Sequence, residues 1–241
     1  STFTELGAKT GLGGTAFNGK DLVSADFDDD GDIDVFIIGK NGDHKYFDNL
    51  RQGYFRNEND RIRINRRIVP GALVAADYNN DGYIDIFISD IRGEDHQLYQ
   101  NNGRGFFQLN TDWKSKLKNS KKIAGYDASF FDYDNDGFLD ILIAGKIKDT
   151  SKNSTGLHLY YNNRKGKFIK VTELIPEGLG EIEKVEFSDF DNDGDVDLFI
   201  ASTDGSLKLL RNDGGNINNH LKLQLKGLRT GSGKNNYFGI G

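Results

Sequence analysis

A single nine-residue pattern, DxDxDGxxD, is written four times into this chain. The copies read DFDDDGDID at 26–34, DYNNDGYID at 77–85, DYDNDGFLD at 132–140 and DFDNDGDVD at 189–197, with starts 51, 55 and 57 residues apart. Their flanks repeat as well: VSADF, VAADY, ASFFDY and VEFSDF lead in, and DVFIIG, DIFISD, DILIAG and DLFIAS lead out. A period of this length marks a repeat architecture, in which one unit cannot bury its own apolar faces and must stack on its neighbours.

The lead-out runs are rich in Ile, Val and Phe and too short for helices, so they read as buried strands. After them come HKYFDN, HQLYQNN, LHLYYNN and LKLLRND as third strands, then Asn/Gly turns, then YF, FFQL or KFIKV as a fourth strand in three copies. The 30 Gly against 2 Pro fit a chain dense in tight turns. The expected fold class is all-β, a β-propeller of four-stranded antiparallel blades. Four repeats form either a closed small ring or an arc of a larger, for example seven-bladed, one. FTEL at Phe3–Leu6 reads as a fourth strand, which offers ring closure by the N-terminal segment. Residues 1–215 make up the repeats and 216–241 a C-terminal strand segment. The start at Ser1, the absence of Met and the apolar ending NNYFGIG read as a piece of a longer chain.

Oxygen ligands at positions 1, 3 and 5 of such a loop surround one point, and Gly at position 6 permits the turn that offers the carbonyl of position 7. Position 9 adds a further carboxylate. The side-chain ligands expected are Asp26, Asp28, Asp30 and Asp34; Asp77, Asn79, Asp81 and Asp85; Asp132, Asp134, Asp136 and Asp140; Asp189, Asp191, Asp193 and Asp197. Asp32, Tyr83, Phe138 and Asp195 would contribute backbone carbonyls. Position 12 holds Ile37, Ile88, Ile143 and Ile200 rather than Glu on a helix, so the loops are not EF-hands. All-oxygen ligation points to Ca²⁺ at about four sites, with the Asn79 loop the weakest.

The formal net charge is -6, and four bound Ca²⁺ would make it +2, so the acidic balance says little about partners. With no Cys there is neither a disulfide nor a thiolate site, and calcium is the expected staple. No apolar run spans a bilayer. The face opposite the calcium loops collects basic segments, among them Arg61, Arg63, Arg66, Arg67, Lys114 and Lys116, with Trp113 as an anchor for a sugar ring or a protein. Those segments lack interleaved aromatics, which argues against nucleic acid.

The loops, together with LYQNNGRGFF and LYYNNRKGKF, resemble the FG-GAP/VCBS repeat family, the calcium-loop blades of integrin α-subunit heads and many secreted bacterial proteins. NHLKLQLKGLRTGSGKNNYFGIG at 219–241 resembles the start of an ASPIC/UnbV module. The resemblance implies a secreted or cell-surface propeller for adhesion, ligand binding or scaffolding, and the near-identical repeats, with no outlying residue that looks catalytic, add the expectation of a non-enzymatic module with a protein or glycan partner. The alternatives are a polysaccharide-active lyase or hydrolase, and a structural spacer in a larger secreted assembly.

Overall fold

The computed structural model describes residues 2–13, 17–51, 53–65, 67–113, 122–148, 155–165, 167–171 and 173–214. The 216–241 segment therefore lies outside the described residues, as do Arg66, Lys114 and Lys116. Among the described residues a short helix, α1 (Gly7–Thr10), precedes fifteen strands. Blade 1 comprises β1 (Gly19–Ala25), β2 (Asp34–Gly39), β3 (His44–Asn49) and β4 (Phe55–Asn57). Blade 2 comprises β5 (Pro70–Ala76), β6 (Asp85–Asp90), β7 (Gln97–Asn101) and β8 (Phe107–Leu109). Blade 3 comprises β9 (Ile123–Phe131), β10 (Asp140–Ile147), β11 (Leu157–Asn162) and β12 (Phe168–Lys170). Blade 4 comprises β13 (Ile182–Ser188), β14 (Asp197–Ser202) and β15 (Leu207–Leu210). Each sheet is an antiparallel meander in sequence order, and the four together form an arc of a β-propeller.

Strand periodicity explains the stacking. Along the second strand of each blade, successive side chains point to opposite sheet faces. Phe36 and Ile38 of blade 1 pack against Ile86 and Ile88 of blade 2. Phe87 of blade 2 meets Ile141 and Ile143 of blade 3, and Leu142 and Ala144 of blade 3 meet Leu198 and Ile200 of blade 4. One face always looks forward and the other back. The ends of the arc follow the same rule: Phe199 looks forward from blade 4 and is 42% exposed, whereas its counterparts Phe36 and Phe87 are fully buried. At the other end, Val35 and Ile37 look back from blade 1 and are only partly covered.

In blades 2 to 4 the Asn at the end of the third strand, or in blade 4 two residues past it, ties the blade to the previous one. Asn101 Nδ2 donates to the Phe27 carbonyl of blade 1 at 2.7 Å, Asn162 Nδ2 to Tyr78 of blade 2 at 2.7 Å, and Asn212 Nδ2 to Tyr133 of blade 3 at 2.6 Å. Asn101 and Asn162 also hold a carbonyl of their own blade, Ile84 and Leu139. Asn49 of blade 1 makes only the own-blade bond, to Ile33 at 3.0 Å.

The N-terminal reading needs correcting. Phe3–Leu6 forms no strand, and Phe3 is fully exposed, so closure by an N-terminal fourth strand is not what the described residues show. Gly11 explains part of this: its Cα lies against the Phe55 carbonyl with φ +88, which seats the segment on the outer strand of blade 1.

These bonds predict unequal effects for equivalent substitutions. Asn162→Ala strands two carbonyls at a buried interface and should cost about 1–3 kcal/mol. Asn49→Ala should cost under about 1 kcal/mol. Urea midpoints of the two variants measure the difference, and equal losses would contradict the interlock.

Candidate metal centres

The loops owe their shape to backbone hydrogen bonds that three of them share. Asp at position 1 accepts the N–H of positions 5 and 6: Asp26 from Asp30 and Gly31, Asp77 from Asp81 and Gly82, Asp132 from Asp136 and Gly137, all at 2.8–3.1 Å. Position 5 accepts the N–H of position 7 in all four, through Asp30, Asp81, Asp136 and Asp193. Position 6 is left-handed, with φ between 86 and 98, a conformation that Gly adopts at little cost. Position 4 is left-handed too, at φ 54 to 64, in Asp29, Asn80, Asn135 and Asn192. Asp and Asn are the non-glycine residues that tolerate it best.

Position 9 works as a latch under each loop. Asp34, Asp85, Asp140 and Asp197 are buried, and each accepts the N–H of the strand-ending Asn at 2.7–2.8 Å. Asp34, Asp140 and Asp197 also accept the position 2 N–H, from Phe27, Tyr133 and Phe190. Tyr46 adds its hydroxyl to Asp34 at 2.9 Å. Burial dominates the titration: it raises the Asp34 carboxyl and pushes Asp85 up to about 8 and Asp140 up to about 7, against the opposing pull of the Asn N–H groups.

Three loops gather carboxylate oxygens within 4.8 Å of one another: Asp26, Asp28 and Asp30; Asp132, Asp134 and Asp136; Asp189, Asp191 and Asp197. In the fourth loop Asp193 is not part of that trio; its place is taken by position 9. Loop 2 assembles no acidic trio among the described residues, because Asn79 supplies an amide that donates to Asp81 at 2.9 Å. Asp28 Oδ1 and Asp85 Oδ2 are buried without a hydrogen-bond partner. A buried carboxyl oxygen left unpaired is costly to ionise, and a hard cation answers that cost with the ligand chemistry these loops offer. The donor set therefore fits Ca²⁺.

Arginines already lean on two of the loops. Arg51 Nε pairs with Asp32 at 2.5 Å and its Nη2 reaches the Asp30 carbonyl, while Arg164 Nε pairs with Asp136 at 2.7 Å. Adjacent loops are also stitched together: Asn80 Nδ2 donates to the Gly137 carbonyl at 2.7 Å, and Asn135 Nδ2 to Asp195 at 3.0 Å. Sequence reading missed this role of position 4. Its signal was the change from Asp29 in the first loop to Asn in the three that follow.

The expected partner face is not assembled as the sequence suggested. Trp113 is 2% exposed, packed edge-on against Phe87 and Phe168, with its indole N–H on the His96 carbonyl at 3.0 Å. It is a core residue, packed between the apolar faces of blades 2 and 3. Arg61 is likewise withdrawn, ion-paired with Asp28 at 3.0 Å, Asp48 at 3.1 Å and Glu58 at 2.5 Å beside loop 1. Its guanidinium also sits over the Tyr46 and Phe106 rings. Arg63 and Arg67 are exposed, and Arg67 lines a polar cavity with Asn41, Asn65 and Arg92.

Three consecutive stretches, residues 26–88, 77–143 and 132–200, match the profile of FG-GAP-like repeats. Cartilage acidic protein 1 of Xenopus tropicalis is 25% identical over 159 residues, which cover 59% of this chain and 23% of that protein. A solved lectin from Agrocybe aegerita, described for specific recognition of non-reducing terminal N-acetylglucosamine, superposes with a TM-score of 0.56 at 20% identity. That match covers 89% of this chain and 55% of the lectin chain, and it is a likeness of fold.

The raised latch carboxyls give a pH dependence with a definite sign. A carboxyl whose folded pKa lies above its unfolded value favours the folded state below the unfolded pKa and loses that advantage as pH rises through the folded pKa. In chelator, urea midpoints should fall from pH 7 to 8.5, above the histidine range, as Asp85 ionises. In saturating calcium the slope should vanish. A flat or rising profile in chelator would contradict the burial of an uncompensated Asp85.

Proposed function

The chain belongs to the FG-GAP-like repeat family, and from that premise we propose that it is a calcium-stapled extracellular propeller segment that binds a glycan or protein ligand. The observation that carries this reading is the convergence of carboxylates in the loops, with buried oxygens of Asp28 and Asp85 that have no hydrogen-bond partner among the described residues. Calcium, when bound, supplies the positive charge that those oxygens lack. Positions 1, 3, 5 and 9 and the carbonyl of position 7 would hold it, and position 9 is also hydrogen-bonded to the Asn that follows the third strand's core. The metal would thereby brace the residues that join blade to blade.

The role proposed is binding rather than catalysis. His96 is buried and spent on the fold: its Nδ1 accepts the Asp90 N–H at 3.0 Å, so Nε2 carries the proton and donates to the Ile123 carbonyl at 3.1 Å. Burial holds its pKa down at about 4, which leaves no base to offer. The relative named for cartilage and the lectin neighbour both support a module that meets ligands outside the cell. Extracellular sites of this kind bind calcium at about 10⁻⁴ to 10⁻³ M, which suits an exterior at about 1 mM calcium and not a cytosol.

At the tighter end of that range, three full loops in about 1 mM calcium contribute roughly 4 kcal/mol. The melting midpoint should then rise by roughly 8–16 °C over that in chelator. Titration calorimetry should show loop 2 as the weakest site, and Asn79→Asp should bring it into line with the others. A midpoint indifferent to calcium would overturn the reading.

A further inference from the structure

Blade 2 departs from its siblings at one place on the calcium-loop side. The cross-strand pair midway between the third and fourth strands is Asp48 opposite Arg56 in blade 1, joined by an ion pair of 2.7 Å. In blade 3 it is Tyr161 opposite Ile169. In blade 2 it is Gln100 opposite Gln108, and both are exposed. Four amide atoms thus stand where the neighbouring blades place a closed ion pair or an apolar pair.

Above them sits Tyr83, at a loop position held by Asp32, Phe138 and Asp195 in the other blades. Its ring lies on Gly103, where a Cβ would come within 2.4–2.7 Å of three ring carbons and φ is +75. That glycine makes Tyr83 a fixed, half-exposed platform. With Asn102 and with Lys165 of blade 3, these groups line an open cavity of about 930 Å³ between blades 2 and 3. Asn102 spends its oxygen on the turn, accepting from the N–H of Arg104 and Phe106, and so leaves its NH₂ available. Gln100 gives one N–H to Asp81 at 3.3 Å and keeps its oxygen. Among the described residues, Gln108 and Lys165 make no side-chain hydrogen bond and the Tyr83 hydroxyl has no partner.

We propose that this cavity is a saccharide subsite, in which a pyranose ring lies on Tyr83 while Gln100, Gln108 and Asn102 read its hydroxyl or acetamido groups. Amides offer a donor and an acceptor side by side, which matches groups that are themselves both. A ring with one apolar face and a polar edge matches Tyr in the same way. The charged groups of the lining, Asp81 and Asp112 against Arg164 and Lys165, cancel, so it lacks the net positive charge that phosphate backbones demand. The subsite rests on the ligand-binding reading above and places the ligand on the calcium-loop face, not the opposite one.

The test screens the whole chain, in millimolar calcium, on an immobilised glycan array and measures the strongest hit by calorimetry. Gln100→Ala/Gln108→Ala and, separately, Gln108→Arg, which fills the cavity, should each weaken that hit at least tenfold with melting midpoint and calcium stoichiometry unchanged. Arg67→Ala/Arg92→Ala, in the cavity on the opposite face, should leave it intact. A blank array, or a hit untouched by both blade 2 variants, overturns the subsite. A hit lost only in the Arg67/Arg92 variant overturns it too, while leaving the ligand-binding reading in place. The calcium reading stands or falls separately on the chelator melt.

Discussion

A small antiparallel sheet with apolar side chains on both faces has no stable existence by itself, and everything in this protein answers to that fact. The second strands carry Phe, Leu and Ile on either side, and each interlayer is filled by the forward face of one blade and the back face of the next. Burial of this kind is non-directional and leaves sliding and tilting free. Direction comes from the polar rim, where a strand-ending Asn reaches across to a loop carbonyl and the position 9 Asp fixes that Asn from below.

The acidic loops and the packing are therefore one system. Carboxylates clustered for a cation would repel one another, yet the same residues organise the turn through their backbone bonds and, at position 9, clamp the blade interface. Arg51 and Arg61 moderate the charge of the first loop and Arg164 that of the third. A metal placed there would act on the stacking of blades through Asp34, Asp85, Asp140 and Asp197, and not only on the loop that holds it.

Most of this was legible in the chain. The repeat spacing announced blades, the alternation along DVFIIG and its kin announced two-faced strands, and the loop pattern announced clustered carboxylates. Trp113 and Arg61 were misread because local composition gives polarity but not direction: an indole next to a run of Lys can still be drawn in between two blades, and an Arg that follows a blade can turn back onto that blade's own carboxylates. The Asn interlocks were invisible for a related reason. They join residues 74 to 84 positions apart, and NN or ND reads locally as nothing more than a turn. The Gln100 and Gln108 pair was hidden by the symmetry that revealed the fold, since a departure from a repeat shows only when the register of opposing strands is known.

The interlock is also directional. Each blade supplies the amide and its predecessor the carbonyl, so the contact has a head and a tail, like a row of identical couplings on railway carriages. A unit built this way can be copied in tandem and inserted between any two others without designing a new surface, because every insertion presents the same head and the same tail. Exposed Phe199 on blade 4 and the half-covered back face of blade 1 are an uncoupled pair of that kind. For a gene, this makes the number of blades a quantity that duplication can change one step at a time, while individual blades, like blade 2, remain free to drift toward a task of their own.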